Sequence, residues 1–134
     1  MSSSRPWNSV DEFLDLFGVD KSRNGVIDFM VMVDTLTLLY AFPEYGCFYE
    51  EVAARRMAEV KLSPLTYYQR IKCALRPIFS TPVDTFKALG FVLPEGFTTP
   101  MLVKAIARLL ARDLDERYRN LAKEAAYLCK AVKK

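Results

Sequence analysis

Apolar positions along the chain recur at spacings of three and four, and nowhere do they alternate with period two over a useful length. That pattern predicts helices and no strands. The first segment is Val10–Phe17, with Phe13, Leu14 and Phe17 on one face. Ser9 precedes it and Glu12 follows three residues later, the spacing of a capping box. Gly18 is placed to end it. From Val26 to Phe42 the pattern is apolar nearly all round, which marks a central core helix, and Pro43 and Gly46 break it. A third helix is predicted over residues 47–60, with Val52, Ala53 and Met57 inward. Lys61-Leu-Ser-Pro64 reads as a turn, in which Ser63 caps the next helix and Pro64 takes its first position, where a missing N–H costs nothing. That fourth helix, Leu65–Arg76, carries a stripe of Tyr67, Ile71, Ala74 and Leu75, and Pro77 ends it.

Thr81-Pro82 starts a short helix over 83–89, stopped by Gly90, and Thr99-Pro100 repeats the same opening. Beyond it there is neither Gly nor Pro, and apolar positions 106, 110, 114, 118, 121, 125, 128 and 132 continue the stripe, with a break expected near Asp113. The expected fold is all-α, a compact multi-helix domain of about six or seven helices that contains a helix–turn–helix and carries a C-terminal helical extension. Residues 1–8 read as a loose terminus, 9–112 as the main domain and 113–134 as a basic C-terminal helix. The last stripe, from Leu114, Tyr118, Leu121, Ala125, Leu128 and Val132, is heptad-like. It serves either a homodimer or packing on its own domain.

Composition narrows the function. A length of 134 residues suits one domain, and 51% hydrophobic residues suffice for a core. Charge, Pro or Gly interrupts every apolar stretch short of a bilayer, and the N-terminus has no apolar leader, so no membrane partner is expected. The chain has no histidine, which removes Ser–His and Cys–His pairs, and it has no Gly-rich phosphate loop. Neither an enzyme nor a cofactor is therefore expected. Cys47, Cys73 and Cys129 fit neither a zinc pattern nor a disulfide framework, and are expected as free thiols in the cytoplasm.

One turn imitates a calcium loop. Asp20, Ser22 and Asn24 alternate, Gly25 follows, and Asp28 comes four residues after Asn24. The position that should bring a bidentate carboxylate is Val31, and no second loop exists, so a polar turn between two helices is expected rather than a metal site.

Charge is uneven. Residues 1–54 hold 3 basic and 9 acidic side chains, residues 55–134 hold 16 and 7. A basic surface of this kind is the electrostatic footprint of a nucleic-acid binder. The helix–turn–helix at 47–76 gives it a place. In such motifs the second helix enters the major groove, its N-terminal residues meet base edges and flanking cations meet phosphates. Ser63, Thr66, Tyr68 and Gln69 are candidates for the tip of that helix. Arg55, Arg56, Arg70, Lys72 and Arg76 are candidates for the backbone of double-stranded DNA.

Three stretches resemble a known family. They are Ser9-Val-Asp-Glu-Phe-Leu-Asp-Leu-Phe-Gly-Val19, Ser63-Pro-Leu-Thr-Tyr-Tyr-Gln-Arg-Ile-Lys-Cys-Ala-Leu75, and Val83-Asp-Thr-Phe-Lys-Ala-Leu-Gly90 followed by Thr98-Thr-Pro100. Over residues 9–112 the chain is similar to the DNA-binding effector domain of the bacterial stage 0 sporulation protein A response regulators. The resemblance implies sequence-specific DNA binding and transcription regulation in sporulation. The recognition helix departs from the family, because Leu65, Thr66, Tyr67, Tyr68 and Gln69 stand where it has a Ser-Arg-Val-Glu-Arg run. Lys72 keeps a basic position, and Arg70 replaces an alanine. A second expectation follows from the lost arginines: an effector-like domain that acts as a protein-interaction module and does not read DNA.

Overall fold

Residues 5–131 are described by a computed structural model, and every regular element among them is helical. The α-helices are α1 (Val10–Leu16), α2 (Asn24–Ala41), α3 (Tyr49–Val60), α4 (Pro64–Ala74), α5 (Arg76–Phe79), α6 (Asp84–Ala88), α7 (Thr99–Ala111) and α8 (Arg119–Lys130). Single turns of 3-10 helix, Pro43–Tyr45 and Glu116–Tyr118, precede α3 and α8.

Local chemistry sets most boundaries. Ser9 Oγ accepts the Glu12 N–H at 3.1 Å, and Gly18 leaves α1 with φ +65°, a conformation glycine adopts without strain. Ser63 Oγ accepts the Thr66 N–H at 3.4 Å to open α4, and Thr98 caps α7 by accepting from Met101. Pro77 does not simply stop α4. Leu75 breaks the helix and Pro77 falls in the first turn of α5, where it is tolerated.

Helix α2 is the axis of the molecule, and α1, α3, α4, α7 and α8 all pack on it. Its Val26, Phe29, Met32, Val33 and Leu36 have no exposed surface. By length and composition α2 could cross a bilayer. This corrects the expectation that charge, Pro or Gly cuts every apolar stretch short of a bilayer; here half of α2 is buried by the other helices, and its Asp28 carboxylate is satisfied by two arginines.

An aromatic cluster closes one end. Trp7 and Phe13 meet edge to face at 5.1 Å, Phe86 stacks on Phe91 at 5.5 Å, and Phe86 meets Phe97 at 5.4 Å. This corrects the expectation of a loose segment over 1–8 for its described part. Trp7 is fully buried, its indole N–H donates to the Leu89 carbonyl at 2.8 Å, and the Arg5 guanidinium covers its ring at 4.7 Å. The large apolar area of one indole outweighs a weak local helical signal. Residues 1–4 lie outside the described residues.

The C-terminal stripe is two helices, with the break at 112–118 beside the expected Asp113. Helix α8 docks on α2 and α3 through Ala122, Ala126 and Cys129, which are buried. The six positions expected to form a seam sit differently. Leu114, Tyr118 and Ala125 are half-buried, Leu121 and Leu128 are exposed, and Val132 lies outside the described residues. Small side chains let α8 approach closely, so the packing face is the one lined by alanines. Arg119 pairs with Glu44, and Lys130 Nζ donates to the Tyr45 carbonyl at 2.6 Å, clamping both ends of α8 to the 3-10 turn after α2.

Candidate nucleic-acid interface

The turn between α3 and α4 is three residues long, 61–63, within the range of a helix–turn–helix. Lys61 makes it possible by taking φ +58°, the left-handed conformation, while its N–H donates to the Met57 carbonyl. Helix α4 then buries Tyr67, Ile71 and Ala74 against the core. Its opposite side carries Leu65, Gln69 and Lys72, spaced by four and three residues, and Arg76, the first residue of α5, follows past the break at Leu75; all four are exposed. Thr66 and Cys73 flank that stripe and are also exposed. Helix α4 contains no acidic residue, and among the described residues Lys61, Lys72 and Arg76 form no ion pair.

The nine residues expected to meet DNA divide into two groups. Ser63, Thr66, Gln69, Lys72 and Arg76 are on the open surface. Arg55, Arg56, Tyr68 and Arg70 are half-buried and engaged by other groups of the fold. Asp28, with no exposed surface, accepts from Arg56 Nη2 at 3.0 Å on one carboxylate oxygen and from Arg70 Nε at 2.8 Å on the other. A buried carboxylate is stable only with such partners. Arg55 donates to Glu59 at 2.8 Å and to the Leu128 carbonyl at 3.1 Å, tying α3 to α8. The hydroxyls of Tyr68 and Tyr49 are 2.7 Å apart, and burial raises the pKa of both phenols. The three arginines therefore join helices, and the surface charge of the motif comes from Lys61, Lys72 and Arg76.

The Asp28 pairing also disposes of the calcium-like spacing. Helix α2 begins at Asn24, so Gly25 is helical and not at a loop turn, and Asp20 accepts from the Ser22 hydroxyl at 2.6 Å. Gly25 has a different task. A Cβ there would lie 2.3 Å from the Arg70 carbonyl oxygen and 2.8 Å from the Ala74 Cβ, so α2 and α4 touch backbone to backbone.

Three further features of this surface were not among the nine candidate residues. Leu65 is 70% exposed at the tip of α4. Arg23, from the acidic segment 1–54, reaches the Cys73 carbonyl at 3.5 Å and adds a cation beside the C-terminal end of α4. Phe79 from α5 lies under Lys72, with the ammonium 5.5 Å from the ring centre. Shallow grooves run along both sides of the stripe. One is lined by Leu65, Tyr68, Gln69, Lys72 and the Thr98–Pro100 start of α7, the other by Gln69, Lys72, Cys73, Arg76, Phe79 and Ser80.

The cysteines give a check on this arrangement. Cys73 is exposed, whereas Cys47 and Cys129 are buried beside each other. Burial, reinforced by the neighbouring Cys129, pushes the Cys47 thiol up to about 12, and burial also raises Cys129. A thiol held protonated is a poor nucleophile. One thiol per chain is expected to react rapidly with Ellman's reagent at pH 8, and two more only in urea. Rapid reaction of all three would contradict the docking of α8 over Cys47.

No protein-family model matches this chain, and no match is found among curated proteins or solved structures.

Proposed function

We propose that this protein binds duplex DNA through the α3–turn–α4 unit, with α4 in the major groove, and regulates transcription. One observation carries the reading: the stripe Leu65, Gln69 and Lys72 of α4, with Arg76 at the start of α5 beyond it, is exposed, acid-free and basic toward its C-terminal end, and the other side of α4 is buried. Gln69 presents an amide that pairs with the N6 and N7 of adenine, and the Thr66 hydroxyl adds a single hydrogen bond near the helix tip. Lys72, Arg76, Lys61 and Arg23 are the phosphate-facing cations. The resemblance to sporulation effector domains adds the regulatory context. One helix makes few base contacts, so two copies on adjacent half-sites are part of the proposal. The exposed Leu121, Tyr127 and Leu128 of α8 are the surface that favours pairing of copies.

A mobility-shift titration over a range of salt concentrations tests this. The wild-type chain is expected to show affinity that falls steeply with salt, and K72Q/R76Q to lower the slope of log K against log[salt] by about 2, one for each lost phosphate contact. Bound DNA should also slow the alkylation of Cys73. Absence of binding at about 50 mM salt, where phosphate contacts are strong, refutes the reading. A second reading, a protein-interaction module, is favoured by the internal use of Arg55, Arg56 and Arg70. It expects no salt-dependent DNA binding and no protection of Cys73.

A further inference from the structure

The polar stripe of α4 begins with a leucine, placed at the tip of the helix proposed to enter the major groove. Leu65 is 70% exposed, and it lines one groove together with Gln69, one helical turn away. It lies at the second position of α4, directly after Pro64. Recognition helices make their base contacts from such N-terminal positions. In the major groove the distinctive apolar group on a base edge is the C5-methyl of thymine, while the other edge features are hydrogen-bond donors and acceptors.

We infer that Leu65 reads thymine, packing its side chain on the C5-methyl group one or two base pairs from the adenine held by Gln69. The spacing follows from geometry. Four helical residues rise about 6 Å, and base pairs stack about 3.4 Å apart. The two side chains thus select a short A·T-containing step, with the methyl and the adenine edge read by neighbouring turns of one helix. This inference rests on the DNA-binding reading above and adds to it the base that the helix tip prefers.

The test uses the full chain and the tightest duplex recovered by selection from a random pool. Each thymine of that duplex is replaced in turn by deoxyuridine, which deletes the methyl group and leaves base pairing intact. The wild-type protein is expected to bind about fourfold more weakly at one thymine per half-site, the loss corresponding to one methyl-sized apolar contact. L65A is expected to bind the thymine duplex more weakly and to be indifferent to the replacement. Because Leu65 is exposed, L65A should keep the wild-type circular dichroism and urea midpoint, so weaker binding cannot be assigned to unfolding. If a selected duplex is bound but every deoxyuridine substitution is silent, or L65A senses the missing methyl as the wild type does, the thymine contact is wrong while DNA binding stands. If selection recovers no preferred duplex, the underlying reading and this inference both fall.

Discussion

Replacing Asp28 by alanine is expected to cost about 3 kcal/mol of stability, a substantial share of the roughly 5–15 kcal/mol that holds a domain of this kind together. Asp28 is fully buried and joins Arg56 of α3 to Arg70 of α4. Removing it leaves Arg70 without its carboxylate partner and Arg56 with only Glu59, 3.3 Å away on the surface. The lower end of the usual range applies, since the Arg56 and Arg70 side chains keep 18% and 30% exposure and can partly turn to water. Urea melts of wild type and D28A measure the difference. A loss under about 1 kcal/mol would mean that the cluster holds the helices no better than a surface ion pair does. D28L/R56M/R70M is expected to recover much of the loss, because it removes the charges along with their partner.

Gly25→Ala is expected to destabilise by about 1–3 kcal/mol, and to weaken DNA binding beyond what the lost stability explains. Alanine in a helix normally gains up to about 1 kcal/mol over glycine. Here the added Cβ would stand 2.3 Å from a backbone carbonyl oxygen of α4, which cannot rotate away as a side chain can. Overpacking therefore outweighs propensity. Relief comes only by moving α4 off α2, and that displaces the stripe proposed to read bases. Ala74→Gly removes the second contact, at 2.8 Å, but not the carbonyl clash, so it is not expected to rescue the variant. A rise in the urea midpoint of Gly25→Ala would show that α4 yields easily, and a backbone contact would then not be what places it.

Much of the fold was readable because its signals are local. Ser9 and Ser63 begin helices through caps that span three residues, the Thr99-Pro100 opening marks the start of α7 although the cap is one residue earlier at Thr98, and α2 betrays its central place by being apolar all round. What escaped depends on pairs far apart in the chain. Asp28 lies 28 residues from Arg56 and 42 from Arg70, so no spacing rule connects them. A signal did exist: a carboxylate within an otherwise apolar helix needs cations from elsewhere, and the arginines of the next two helices were the nearest supply. The face of α8 was misplaced because large apolar residues dominated the pattern, whereas Ala122 and Ala126 make the contact. The number of α-helices rose above six or seven because the chain after Leu75 forms a further single turn, α5. At the site itself, the exposure of Gln69 and Lys72 followed from helical phase, Arg76 is exposed although the helix breaks before it, and the withdrawal of Arg55, Arg56 and Arg70 did not follow from phase.

Trp7 is the chain's sole tryptophan, locked between Phe13, Phe91 and the Arg5 guanidinium, with its N–H on Leu89. Its fluorescence is accordingly a built-in gauge of one seam, where the N-terminal strap meets the segment after α6. Emission that shifts red in mild urea ahead of the loss of helical signal would reveal that strap peeling away as a separate event. Coincident transitions would show that the strap and the bundle melt as one cooperative body.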